Sequence, residues 1–379
     1  MKRKVENGKI LGVEKNRICQ ALIALTAVAA VGVFSGCGGK GAGNPGNGAG
    51  SGGSSPVGGA VEPMEILSQG RNATEYVLSK SLHPQGVGLV LRAFLPDGSS
   101  LFEGGAAFPL AFGYHGSGGL NREAEQAGQE CTQELETAYR EMTEFLNAQG
   151  VAVVWIDSFY SRDPRFCEDN DADFQQFAPP AMDNNLQQVV SRLYDAAFAE
   201  QALCSLTRFD CSKYIRIGTS EGGTAAILPS HRFVDRTLVQ LFDPKDPDNE
   251  LEKLTDIAFA NLPANRPQPK FVLAISPGCG FYGAIPFSID GETEDLFYPS
   301  QDLFLEIGGS DDIPEECAVA IGDGRRQLQA EEIQNREGIS EEDFRYHLTI
   351  YPGAGHALWE ARQEEIKAKL IPLIQQRLK

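Results

Sequence analysis

Six consecutive apolar residues, Val151-Ala152-Val153-Val154-Trp155-Ile156, most restrict the folds open to this chain. A strand with no polar side chain must be covered on both faces, the condition met in parallel sheets with helices on each side. The remaining segments fit such a sheet. Residues 86–95, 108–114, 214–217, 271–275, 303–307 and 345–351 read as further strands, and 123–147, 186–203 and 357–378 as helices. In the helix over 123–147, Ala138, Met142, Phe145 and Leu146 share one side, and Gly150 stops it in the manner of a C-terminal cap. Strands separated by helical lengths imply right-handed crossovers and a mostly parallel central sheet flanked by helices. Arg216 is an awkward residue to bury in the strand over 214–217. Two segments, 158–183 and 231–269, look inserted, being polar and irregular with several X-Pro steps such as Asp163-Pro164 and Asp243-Pro244. Both are expected over or beside the strand ends, where they either shape access to a site or decorate the surface.

The amino terminus bears on the compartment. Lys2, Arg3, Lys4, Lys9, Lys15 and Arg17 precede a stretch, 18–34, that is almost wholly apolar or small. That stretch is too short and Ala-rich for a membrane span and suits the hydrophobic region of an export signal. It ends Val33-Phe34-Ser35-Gly36-Cys37, which resembles the bacterial lipoprotein signal. The resemblance implies cleavage before Cys37, a lipid on its sulfur and, because Gly38 rather than aspartate follows, an outer-membrane address. The alternative is ordinary signal cleavage to a soluble exported protein. Residues 38–60 are almost entirely Gly, Ser, Ala, Pro and Asn, a flexible tether that cannot bury a core. The expected organisation is a signal over 1–36, a tether over 37–60 and one catalytic domain over 61–379.

The formal charge is −19, and the basic leader leaves the rest more acidic still. Such a body repels polyanions, and no basic stripe with interleaved aromatics is present, so nucleic acid is not an expected partner. Beyond Cys19 and Cys37, six cysteines remain, an even number that suits an oxidising compartment: Cys131, Cys167, Cys204, Cys211, Cys279 and Cys317. Cys204 and Cys211 flank a short loop and form the easiest pair. Cys131–Cys167 and Cys279–Cys317 follow by elimination, one of many pairings six cysteines allow. A zinc site lacks C-x-x-C spacing and nearby histidines, and no metal or organic cofactor is expected.

One pentapeptide, Gly218-Thr219-Ser220-Glu221-Gly222, has the form G-x-S-x-G. An apolar run precedes it and small residues follow, so it reads as strand, sharp turn and helix, a context that lifts a serine hydroxyl toward a pocket. By itself the pattern is also compatible with Ser220 as a helix cap. Of the five histidines, His356 has the best position as its base, in the Gly-rich loop 352–358 just past the final strand. Histidine changes charge near neutrality, which suits it to take the Ser220 proton and return it. His347 lies within a strand pattern, and His83 and His231 lie away from strand ends. A carboxylate is needed to orient the base. Asp311, the first one clear of the strand over 303–307, is the choice, with Asp312 as its rival. Two backbone donors are needed for an oxyanion: the N–H of Glu221, and one from Tyr114-His115-Gly116-Ser117-Gly118-Gly119, where Ser117 is favoured and Gly116 is next. His115 reads as structural, orienting that loop. All these residues fall at carboxyl ends of predicted strands, where parallel sheets bind ligands.

The chain resembles the α/β-hydrolases, and within them the dienelactone-hydrolase-like esterases. The resemblance runs from about residue 86 to the C-terminus and rests on His115-Gly116-Ser117-Gly118-Gly119, Asp157-Ser158-Phe159 with Arg162, the Ser220 elbow, 308–312 followed by Cys317, and 353–356. The order Ser220, Asp311, His356 is the order of that fold's triad. Where the family's namesake has a cysteine nucleophile, this chain has Ser220. The resemblance implies an α/β-hydrolase fold and a serine hydrolase acting on small-molecule or polymeric carboxylic esters. A peptidase or amidase on the same triad, or an inactive binding lipoprotein of this fold, are the alternatives.

Overall fold

The computed structural model describes residues 66–69, 74–78, 88–121, 132, 134–162, 165, 184–227, 229, 268–278, 301–311 and 345–379. The leader, Cys37, the tether, most of both inserted segments, Asp312, His83, His231 and the cysteines at 131, 167, 279 and 317 lie outside the described residues.

Among the described residues, nine strands form one sheet: β1 (Ile66–Gln69), β2 (Glu75–Leu78), β3 (Val90–Phe94), β4 (Phe108–Tyr114), β5 (Ala152–Asp157), β6 (Phe209–Thr219), β7 (Phe271–Ile275), β8 (Asp302–Gly308) and β9 (Tyr346–Tyr351). Their order is β1-β2-β3-β5-β4-β6-β7-β8-β9. The first three pairings are antiparallel and the rest parallel. Four described helices accompany the sheet: α1 (Thr137–Ala148), α2 (Asn184–Cys204), α3 (Glu221–Ile227) and α4 (Leu358–Arg377). This is the α/β-hydrolase arrangement, with β4 and β5 exchanged in order so that β4 lies beside β6.

Successive side chains of each central strand enter opposite cores, as strand geometry requires. Ala152, Val154 and Ile156 of β5 join Leu110 and Phe112 of β4 against Ala196, Ala199 and Leu203 of α2. Val153 and Trp155 face the other way, against Tyr139, Met142 and Leu146 of α1 and Trp359, Ile366 and Leu370 of α4. The apolar run over 151–156 is thus fully buried because each face has its own helical layer.

Two expectations need adjustment, and two strands were not expected. Of the helix expected over 123–147, the described part runs from Thr137, and its lead-in at 134–136 is not helical: Leu135 bridges antiparallel to Asn121 and the Glu136 N–H donates to Leu120 O (3.1 Å), while 122–131 lie outside the described residues. The strand around 214–217 runs from Phe209 to Thr219; its polar lead-in, Asp210 to Lys213, is accommodated by an irregularity in the pairing with β4. β1 and β2 carry no sequence expectation: each is four residues long, too short to show an alternation.

Arg216 is 1% exposed yet compatible with the core. It makes a two-pronged pair with Glu200 of α2 (2.6 and 2.8 Å), and Tyr114 OH donates to the same carboxylate (3.2 Å). Breaking such a buried pair from one side typically costs about 3–5 kcal/mol. The expected Cys204–Cys211 disulfide is formed and ties the end of α2 to the start of β6. Closing so short a loop in the unfolded chain is worth roughly 2 kcal/mol.

Candidate active site

Strand β6 ends in the elbow. Ser220 has φ 52°, a left-handed backbone that costs a non-glycine residue about 1–2 kcal/mol. Its N–H donates to Ile275 O (2.8 Å) and its carbonyl accepts from Gly223 N (2.9 Å) and Thr224 N (3.3 Å), which starts α3. The turn is tight enough to exclude side chains on either flank. A Cβ on Gly218 would lie 2.1 Å from Gly222 O, and one on Gly222 would lie 2.2 Å from Tyr114 O. Both glycines of the pentapeptide are fixed by close backbone approach.

His356 lies in the loop between β9 and α4. Its Nδ1–H donates to Asp311 Oδ2 (2.8 Å), which leaves Nε2 free to accept the Ser220 hydroxyl proton (2.9 Å). The structure therefore brings Ser220, His356 and Asp311 into one hydrogen-bonded row. The loop carrying Asp311 is laced to that carrying His356 by backbone bonds, Gly309 N to Tyr351 O (2.7 Å) and Ser310 N to Ala354 O (2.8 Å). Asp311 is largely covered, its side chain 9% exposed, whereas that of His356 is 51% exposed and open to a substrate.

Across from the serine lies the loop after β4. The Gly116 N–H donates to Tyr139 OH (2.8 Å), so this fallback donor is already occupied. Among the described residues neither the Ser117 N–H nor the Glu221 N–H has an acceptor. Both are left for a bound oxygen to engage. His115 does not line the cleft. It is buried, bonded through Nδ1 to Gly116 O (2.8 Å) and packed edge-on to Phe159 (4.6 Å). Burial first, and then the nearby Arg192 charge, hold its pKa well below the usual histidine value, so it stays neutral and structural. The Asp157-Ser158-Phe159 stretch with Arg162 is structural as well: Asp157 accepts from Asn121 (2.8 Å), and Arg162 forks onto Asp195 (2.9 and 3.2 Å).

Three contributors carry no sequence motif. Tyr139 of α1 joins the oxyanion loop to the elbow, because its hydroxyl also bonds Thr219 Oγ1 (3.0 Å). Ser276, just past β7, is 1% exposed and shares the left-handed backbone of Ser220, with φ 48°. Its hydroxyl donates to the carbonyl of His356 (3.0 Å). Arg192 of α2 reaches the carbonyl of His115 and the carboxylate of Glu221. Only an unexplained polar residue at the end of an apolar strand could have pointed to Ser276. Tyr139 and Arg192 lie in helices, where polar residues are ordinary.

The row opens into a cleft of roughly 340 Å³, lined by the loop 116–119, Tyr139, Ile275 and the start of α4. That volume admits a small acyl or alcohol group. Among the described residues no three of His, Cys, Asp and Glu converge as a metal-binding group.

No family model matches the sequence, and no curated protein matches it. Solved structures do. A dienelactone hydrolase from Anabaena variabilis is 16% identical over 80% of this chain and 98% of its own, with a TM-score of 0.41. A dienelactone hydrolase-like promiscuous phosphotriesterase from metagenomic libraries is 12% identical over 80% and 98%, at 0.45. An esterase from Pyrobaculum calidifontis is 14% identical over 80% and 84%, at 0.41.

Proposed function

We propose that the protein is a serine hydrolase that cleaves carboxylic esters. The observation that carries the reading is the row from Ser220 Oγ to His356 Nε2 (2.9 Å) and from His356 Nδ1 to Asp311 (2.8 Å), in a cleft that Ser117 also lines. As Ser220 Oγ attacks the ester carbonyl, its proton passes to His356 Nε2 and the carbonyl electron pair moves onto oxygen. The N–H groups of Ser117 and Glu221 hold that oxyanion, and Asp311 stabilises the imidazolium. Each such donor is worth about 3 kcal/mol of barrier. The tetrahedral adduct collapses, and the alcohol leaves with the proton from Nε2. Water then gives a proton to His356 and attacks the acyl-serine, and the acid leaves as Ser220 regains its proton.

Turnover of p-nitrophenyl esters graded by acyl length, with fluorophosphonate labelling at Ser220, tests this. A folded protein that hydrolyses none of them and takes no label is not a serine esterase. Release of amines from peptide amides at comparable rates would make it an amidase instead. We further propose export as a lipoprotein through Cys37, on the strength of the basic and apolar leader. Cys37→Ala is then expected in the soluble rather than the membrane fraction, and a variant that stays with the membrane argues against the anchor.

A further inference from the structure

We infer that Arg192 is a positioning residue that holds the two oxyanion donors in register and cancels the charge of Glu221 beside them. The inference rests on the esterase reading. The two donors belong to separate loops: Ser117 follows β4, and Glu221 follows β6. Arg192 belongs to neither. It reaches in from α2, is 1% exposed, and divides its guanidinium between the loops. Nη2 donates to the carbonyl of His115, two residues before Ser117, and Nη1 lies 3.0 Å from Glu221 Oε1. The Phe159 ring lies 5.5 Å from the guanidinium carbon and covers it.

A buried guanidinium costs several kcal/mol unless it is paired, and here one hydrogen bond to the loop after β4 and an ion pair with the Glu221 carboxylate, close in distance though not aligned as a hydrogen bond, tie its position to both loops. The planar fork of arginine suits that task, and the single ammonium of lysine does not. The second effect is electrostatic. Glu221 contributes an N–H to a site where negative charge develops, yet its own carboxylate would oppose that charge. The side chain of Glu221 is 19% exposed, too covered for water to screen it fully. The Arg192 cation pairs with it and removes the conflict. Tyr139 braces the same two loops from the other face of the sheet, but as a neutral phenol that cannot supply this cancellation.

The experiment compares Arg192→Met, Arg192→Lys and Arg192→Met/Glu221→Gln with the wild-type chain. It follows p-nitrophenyl acetate hydrolysis and inhibition by butylboronic acid, whose tetrahedral serine adduct places an oxygen at the oxyanion position. Arg192→Met is expected to lower kcat about a hundredfold, the scale of losing one donor, with KM within about twofold. The double variant recovers about tenfold, because the uncompensated carboxylate is gone while the register remains lost. The double variant leaves no unpaired Glu221 carboxylate to destabilise the fold, so the test survives a misfolded Arg192→Met. Arg192→Lys falls between wild type and Arg192→Met. The boronate inhibition constant rises by the same factors in the same order. A double variant with wild-type kcat, or a fall in kcat with unchanged boronate affinity, overturns the inference and leaves the esterase reading intact. A wild-type chain that neither hydrolyses esters nor takes a fluorophosphonate overturns both.

Discussion

Ser220 and Ser276 occupy the carboxyl ends of neighbouring strands and share a backbone conformation that serine seldom adopts, φ 52° and 48°. They are the non-glycine residues with positive φ among the described residues. Both hydroxyls engage His356, one at the ring and one at the main chain. Ser220 opens to the cleft, whereas Ser276 is sealed beneath it. The same strained turn thus serves two ends: at Ser220 it presents a hydroxyl to the ring of His356, and at Ser276 it anchors the main chain of that same histidine. Strain of this kind persists only where surrounding structure over-determines it. At both positions a neighbouring strand does so, through Ser220 N to Ile275 O (2.8 Å) and Ser276 N to Glu306 O (2.8 Å).

The division of labour breaks most visibly at Ser220. Ser220→Ala is expected to lower kcat by a factor on the order of 10⁴ or more, while the melting temperature moves by no more than a degree or two, since alanine meets the same backbone strain. Steady-state rates beside a thermal melt decide it; retained turnover would remove Ser220 from the reaction. Asp311→Asn comes next, because the ring of His356 keeps its place but loses the acceptor that fixes its tautomer. A fall of roughly 10³- to 10⁴-fold is expected, greater than that of Asp312→Asn. If Asp312→Asn proves the more damaging, the acid belongs one residue later.

Ser276 sharpens the comparison because its two variants separate strain from placement. Ser276→Ala keeps the strain and loses the bond to the carbonyl of His356. Ser276→Gly loses the bond but relieves the strain, two effects of about 1 kcal/mol each that oppose one another in stability. Both are expected to lower kcat about 10- to 100-fold through a displaced base, with KM nearly constant, while only Ser276→Ala melts measurably lower. Activity that follows the melting temperature instead of the missing hydroxyl would reduce Ser276 to a packing residue.

The same pair shows what the sequence could disclose. Ser220 is legible because close backbone packing forces glycine at 218 and 222, and that constraint leaves a pattern in the residues. Asp311 and His356 are legible because they follow apolar runs that announce strand ends. Ser276 also follows such a run, Phe271–Ile275, but its task is a bond from a small hydroxyl to a main-chain oxygen, and that demands no pattern nearby. The parallel strands emerged for a related reason: burial on both faces writes a continuous apolar run, as in β5 and β7, whereas the four-residue strands β1 and β2 are too short to write anything. The non-helical lead-in to α1 at 134–136 left no mark in the residues because the bridge from Leu135 to Asn121 is a tertiary contact, invisible to periodicity.

The smallest expected effect lies at Tyr139, where the comparison extends from the base to the elbow. Its hydroxyl takes the Gly116 N–H (2.8 Å) and bonds Thr219 Oγ1 (3.0 Å), so it steadies the residue before Ser220 and the one before Ser117. It touches none of the reacting atoms. Tyr139→Phe keeps the ring packed on Trp155 (4.8 Å) and removes only the bridge. Gly116 N–H is then left without a partner, a cost of about 1–3 kcal/mol if it stays buried. The alternative is that the loop turns the group toward the cleft, where it would compete with Ser117 for the oxyanion. The first outcome lowers stability and reduces kcat three- to tenfold, about 1 kcal/mol of barrier. The second leaves kcat near wild type and tightens boronate binding. Rates and boronate affinities measured on one preparation separate the two, and only the first keeps Tyr139, like Ser276, among the residues that place the chemistry without taking part in it.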